Sequence, residues 1–170
     1  MMVTNMNEHQ QLDNITILGI GNTLYQDEGL GIHALPLIEE LLKDTENIEI
    51  IDGTTDGMRL LAPVEDTDYL IVIDAINAGK PGGTIITLRG EDIPAYFGIK
   101  MSIHQLGFQE VLMAAKIRER YPKNIVMIGM QPTSLELGVE LSEINQCKLH
   151  ELAGLVVKQV IDWRNQHEPA

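Results

Sequence analysis

Apolar residues along the chain alternate between short continuous runs and stretches with helical spacing, and turn-forming residues mark the boundaries. Residues 15–20 are a β-branched-rich run ended by Gly21-Asn22, which predicts a buried strand and its turn. Leu30, Ala34, Leu37, Ile38 and Leu41 then recur at helical spacing. Pro36 falls inside that pattern, so the helix either begins just before it or kinks there. Residues 48–51 predict a second strand closed by Asp52-Gly53, residues 57–64 a short helix, and residues 69–73 a strongly apolar third strand ending at Asp74. After a loop carrying Pro94 and Gly98, residues 105–121 read as a helix with Phe108, Val111, Leu112 and Ala115 on one face and Pro122 as its stop. Residues 125–128 form another strand, ended by Gly129. Ser142 suits the cap of a last helix, where Leu149, Leu152, Val156, Val160 and Trp163 make one long stripe, more simply core than binding surface.

Strands alternating with helices predict an α/β fold, a single domain with a mostly parallel sheet and helices on both faces. One strand breaks the rule. Residues 77–83 are rich in turn formers, and a strand pattern resumes directly after them at residues 84–88. That link is too short for a parallel crossover, so this strand runs antiparallel to its predecessor and the sheet is mixed. A chain of 170 residues suits one domain, residues 15–165, between a flexible tail at 1–14 and a short one at 166–170.

The low aromatic share, 4%, leaves the core to aliphatic side chains. A formal charge of −13 argues against nucleic acid, whose phosphates need a basic face, and disfavours an anionic membrane surface. It suits cationic or metal-bearing partners, or simply solubility. Cys147 is the only cysteine, so no internal disulfide and no Cys-x-x-Cys unit is available. The first fourteen residues lack the pattern of a signal peptide, and nothing later is long and apolar enough for a bilayer, so a cytoplasmic protein is expected.

Gly19-x-Gly21 after a first strand invites a dinucleotide reading, with Asp52 available for a ribose. The third glycine of that fingerprint is replaced by Leu24, and Asp27-Glu28 puts two carboxylates where a pyrophosphate would bind. A nucleotide-binding module is therefore a weak alternative. Carboxylates near a helix start are otherwise favourable. In a flavodoxin-like strand order the first and third strands are neighbours at the point where connections reverse, so Glu28 and Asp74 emerge at one sheet edge. His104 lies in a polar stretch just before a helix and is able to join them. Two carboxylates and an imidazole suit zinc, nickel or a similar ion and leave positions open for a substrate. On chemistry alone the plainer readings stand beside this one: Glu28 favouring a helix start, Asp74 satisfying a turn, His104 capping a helix. His9 and His167 lie in the tails, and His33 and His150 have no acidic partner by sequence. Met127 and Met130 fit buried strand packing. Cys147, Ser102 and Ser134 lack a nucleophile motif.

The ordered motifs Gly19-Ile20-Gly21-Asn22-Thr23-Leu24, Asp27-Glu28-Gly29-Leu30-Gly31, Asp52-Gly53-Thr54-Thr55-Asp56-Gly57, Asp74-Ala75-Ile76, Ser102-Ile103-His104-Gln105-Leu106-Gly107 and Gly129-Met130-Gln131-Pro132-Thr133-Ser134-Leu135-Glu136 resemble the nickel–iron hydrogenase maturation endopeptidase family. The match spans almost the whole folded chain. The resemblance implies a mixed α/β sheet and a metal-recognition triad of Glu28, Asp74 and His104. It also implies cleavage of a C-terminal extension from the hydrogenase large-subunit precursor after nickel has entered it. Nickel is then supplied by the substrate, with no permanently bound cofactor, and the enzyme is expected to be a monomer. The alternative within the same partnership is a nickel-sensing chaperone that binds the precursor without cutting it. Many members carry two consecutive glycines where this chain has Gly53-Thr54, a change in the loop's backbone freedom. Asp52 reads equally as an acid/base or supporting residue of the site and as an ordinary turn former.

Overall fold

Five strands form one sheet in the computed structural model, which describes residues 12–54, 57–99 and 103–166, the side chains at 98–99 and 103–106 excepted. They are β1 (Ile15–Gly19), β2 (Ile48–Asp52), β3 (Tyr69–Ala75), β4 (Ile85–Arg89) and β5 (Asn124–Met130), in the order β2-β1-β3-β5-β4. The first four in that order are parallel, and β4 pairs antiparallel with β5. The expected direction of β4 is right, but its neighbour is β5 rather than β3. The linking residues 76–84 step across one intervening strand, about 10 Å at the usual strand spacing.

Buried on both faces, β1 and β3 read as unbroken apolar runs rather than alternating ones. Their side chains still divide by the pleat. Ile17, Ile71 and Ile73 pack with Ile128 under α1 (Leu30–His33), α2 (Leu35–Leu42) and α6 (Glu143–Gln166). Leu18, Leu70 and Val72 pack with Met127 under α3 (Leu61–Glu65), α4 (Asp92–Ile99) and α5 (Ile103–Ile117). The anticipated stripe of α6 is wholly inward: Leu149, Leu152, Val156, Val160 and Trp163 are buried, and Trp163 stacks on Tyr69 with ring centroids 5.0 Å apart. The few aromatic residues are concentrated at such contacts, as where Phe97 meets Phe108 edge-on at 5.1 Å.

The helical pattern around Pro36 is two helices that meet at Ala34. A single turn, α1, ends before Ala34, and α2 restarts with Pro36 in its first turn, where a missing N–H breaks no helical bond. The expected loop around Pro94 is instead α4. Pro94 again sits in a first turn, and Ile93 and Phe97 are buried against the sheet, so tertiary packing overrides the breaker signal. Helix α5 ends at Ile117, before Pro122, and Glu119 takes a left-handed φ of 57°. The expected N-terminal tail lies outside the described residues as far as position 11, as does the C-terminal tail from 167 onward. Asp13 and Asn14 are tied to the body: Lys123 meets Asp13 at 3.2 Å and the Asn14 amide donates to Asp68.

Candidate active site

β1 and β3 are neighbours, and the chain leaves them toward opposite edges of the sheet, which opens a crevice at their carboxyl ends. The loop after β1 is held there by backbone geometry. Gly21 has a φ of 136°, and a Cβ at this position would lie 2.1 Å from the Glu28 carbonyl oxygen and 3.3 Å from Asp74 Oδ1. Only glycine admits that approach. The Asn22 amide donates to the Glu28 carbonyl at 3.1 Å, and the Glu28 amide donates to the Tyr25 carbonyl at 3.0 Å. Glu28 thus stands in the 3-10 turn Gln26–Gly29, with one carboxylate oxygen shielded from solvent. Asp74 is fully buried at the end of β3, and its Oδ1 accepts the Ala75 amide at 2.8 Å. The backbone of Glu28 and the carboxylate of Asp74 therefore approach one another around Gly21. The same loop amides are satisfied internally instead of facing a phosphate, which adds to the case against a nucleotide.

Asp27 has a role that its sequence position does not betray. It is fully buried and accepts four hydrogen bonds: from the Thr133 and Ser134 amides at 2.9 Å each, from the Ser142 amide at 2.8 Å and from the Ser142 hydroxyl at 2.8 Å. These four donors satisfy the buried carboxylate within the fold. Further backbone bonds sew the two loops together: the Gln26 amide donates to the Gly138 carbonyl at 2.8 Å, and the Gly138 amide donates to Leu24 at 2.9 Å. Gln26 is held at a left-handed φ of 42° between them. Ser142 also caps α6 as expected, accepting the Asn145 amide at 3.4 Å. Asn145 Nδ2 donates to the Gln131 carbonyl, and Gln131 Oε1 accepts the Ala78 and Lys80 amides. Loops from residues 24–28, 77–83 and 131–142 are thereby one hydrogen-bonded rim.

Asp52 ends β2 beside β1, exposed, with Oδ1 accepting the Thr54 amide at 3.0 Å across a two-residue turn. Of the glycine pair's two positions, the first is spatially fixed. A Cβ on Gly53 would lie 2.9 Å from Leu18 and 3.1 Å from the Gly19 carbonyl, whereas Thr54 is exposed and has room for its side chain. His104 falls in the first turn of α5, and its side chain lies outside the described residues, as do Thr55, Asp56 and Ser102. The amino end of α5 is docked through Gly107, whose Cα would lie 2.9 Å from a Cβ on Gly57, just beyond the loop that follows β2. Among the described residues no three His, Cys, Asp or Glu side chains cluster to hold a metal. A cleft of about 360 Å³ lined by Asn14, Thr16, Asn47 and Glu49 lies at the amino ends of the strands, away from Glu28 and Asp74.

The family model described as hydrogenase maturation protease matches residues 32–159, three quarters of the chain. The chain belongs to the hydrogenase maturation protease family. The chain is 40% identical over 129 residues to the hydrogenase 2 maturation protease of Escherichia coli, covering 75% of this chain and 79% of that protein. Hydrogenase expression/formation protein HupM of Azotobacter chroococcum is 41% identical over 124 residues, 72% of this chain and 59% of that one. The match thus spans about three fifths of the length of this relative and of several others like it. In structure, the chain resembles the hydrogenase maturating endopeptidase HybD from E. coli, with a TM-score of 0.79 at 34% identity, covering 88% of this chain and 93% of that one. The mixed, mostly parallel sheet is the fold of these maturation proteases.

Proposed function

We propose that this chain is an endopeptidase that removes a C-terminal extension from the large-subunit precursor of a nickel–iron hydrogenase, and that it reads nickel already present in that substrate. The observation that carries the reading is the approach of the Glu28 loop and the Asp74 carboxylate around Gly21, inside the fold of a maturation protease family. Both carboxylates stand at a sheet edge where α/β proteins receive ligands. His104 is the third nickel contact of this reading, and hard oxygen donors with one imidazole suit a borderline ion. Nickel belongs to the substrate here, so its recognition acts as a checkpoint on the precursor. Asp52 is the acid/base candidate. Its replacement by Asn keeps an acceptor for the Thr54 amide, so loss of processing by folded D52N assigns it to the chemistry, and full processing leaves it a turn former. The protein is expected to act in the cytoplasm as a monomer.

The test uses purified metal-free enzyme with nickel-loaded and nickel-free precursor, followed by mass spectrometry. Loaded precursor is expected to lose a C-terminal peptide and empty precursor to keep its mass. Glu28→Gln, Asp74→Asn and His104→Ala are each expected to lower the rate at least about tenfold in folded protein. Efficient cleavage of verified nickel-free precursor refutes the checkpoint. Stable binding of loaded precursor without any change of mass converts the protein into a chaperone.

A further inference from the structure

Beside Glu28 the two sewn loops raise five large apolar side chains into solvent: Leu24 (57% exposed), Tyr25 (41%), Leu135 (47%), Leu137 (78%) and Val139 (64%). Leu137 and Val139 flank Gly138, which is bonded between Leu24 and Gln26 and forms a parallel bridge with Tyr25. The crest is held in place by the four donors on Asp27, so its side chains are displayed by ordered backbone. A soluble chain exposes such a group where something covers it.

Charge indicates what covers it. None of the twelve Lys and Arg residues lies in residues 12–42 or 124–147, the two segments that build the crest and its base. Its charged members are acidic, with Glu136 and Glu140 exposed between the apolar side chains. A second copy of the chain would set these carboxylates against their own images across a two-fold axis, and an anionic membrane would meet the same repulsion.

Resting on the endopeptidase reading, we infer that this crest is the docking surface for the precursor's polypeptide next to the scissile bond, a segment of apolar residues interspersed with Lys or Arg. Apolar side chains of the substrate lie on Leu24, Tyr25, Leu137 and Val139, and its cations face Glu136 and Glu140. Its position beside Glu28 lets one loop pair hold the chain while the carboxylates read the metal.

Steady-state processing of nickel-loaded precursor by the full chain tests this. Leu137→Asp combined with Val139→Asp is expected to raise KM at least tenfold with kcat within twofold, the pattern of lost ground-state binding. Glu136→Lys with Glu140→Lys is expected to raise KM and flatten its dependence on salt. Ile117→Asp, equally exposed (78%) but near the amino ends of the strands, is expected to change neither. Because these side chains are exposed, circular dichroism is expected to match wild type. KM within twofold of wild type in both crest variants overturns the inference. So does a wild-type dimer that the aspartates split without changing KM, which would make the crest a contact between copies. A wild-type chain that binds loaded precursor through the crest but leaves its mass unchanged refutes the endopeptidase reading and keeps the docking surface. A chain that neither binds nor cleaves overturns both.

Discussion

Among single residues, Asp27 is the one whose removal has the widest reach, because four donors lose an acceptor at once. Asn in its place keeps the volume and one oxygen, but turns an N–H donor toward other donors and forfeits the charge-assisted bonds. Hydrogen bonds to a charged group contribute about 1.5–3 kcal/mol each, with part of the loss relieved by rearrangement. Asp27→Asn is therefore expected to lose about 3 kcal/mol in urea denaturation, and a loss below 1 kcal/mol would mean that the loops are held otherwise. Ser142→Ala removes only the hydroxyl donor and is expected to lose about 1 kcal/mol. The positions of Glu28 after β1 and of Asp74 near the end of β3 were legible in the sequence because each follows an apolar strand run, and parallel strand ends gather at one edge. Asp27 was not, since its donors lie 106 to 115 positions away and adjacent acids leave no mark of which one turns inward.

Helices and strands carry the site only where their spacing is fixed, and Gly31 sets the closest approach of α1 to the sheet. A Cβ there would lie 2.2 Å from the Ile73 carbonyl oxygen and 2.3 Å from that of Ile20, both backbone atoms that cannot swing aside. Gly31→Ala is expected to destabilise the fold by more than about 3 kcal/mol, or to yield insoluble protein, despite the higher helix propensity of alanine. Stability equal to wild type would show that α1 shifts freely, and with it the Glu28 turn. At this scale most of the architecture was readable: unbroken apolar runs gave β1 and β3, and the stripe through Leu152 and Val156 gave α6. Pro94 concealed α4 because a breaker in a first turn looks, in sequence, like a breaker in a loop. Short linkage gave the direction of β4 but not its neighbour, since a turn of this length closes equally well over one strand or over none.

For the whole molecule, the placement of β5 between β3 and β4 governs the order in which the chain is able to assemble. A nascent chain emerging as far as residue 123 holds β3 with one unsatisfied edge and β4 with no partner at all. Unpaired edges invite association with other chains. The slot closes only when β5 leaves the ribosome, and β5 then enters between two strands made earlier rather than adding to the outside. Amides of β4 are accordingly expected to gain protection in pulse-labelled hydrogen exchange no sooner than those of β5, and earlier protection of β4 would contradict this order. Until that moment the half-built sheet keeps an open slot, so the completed fold depends on the late arrival of one central strand.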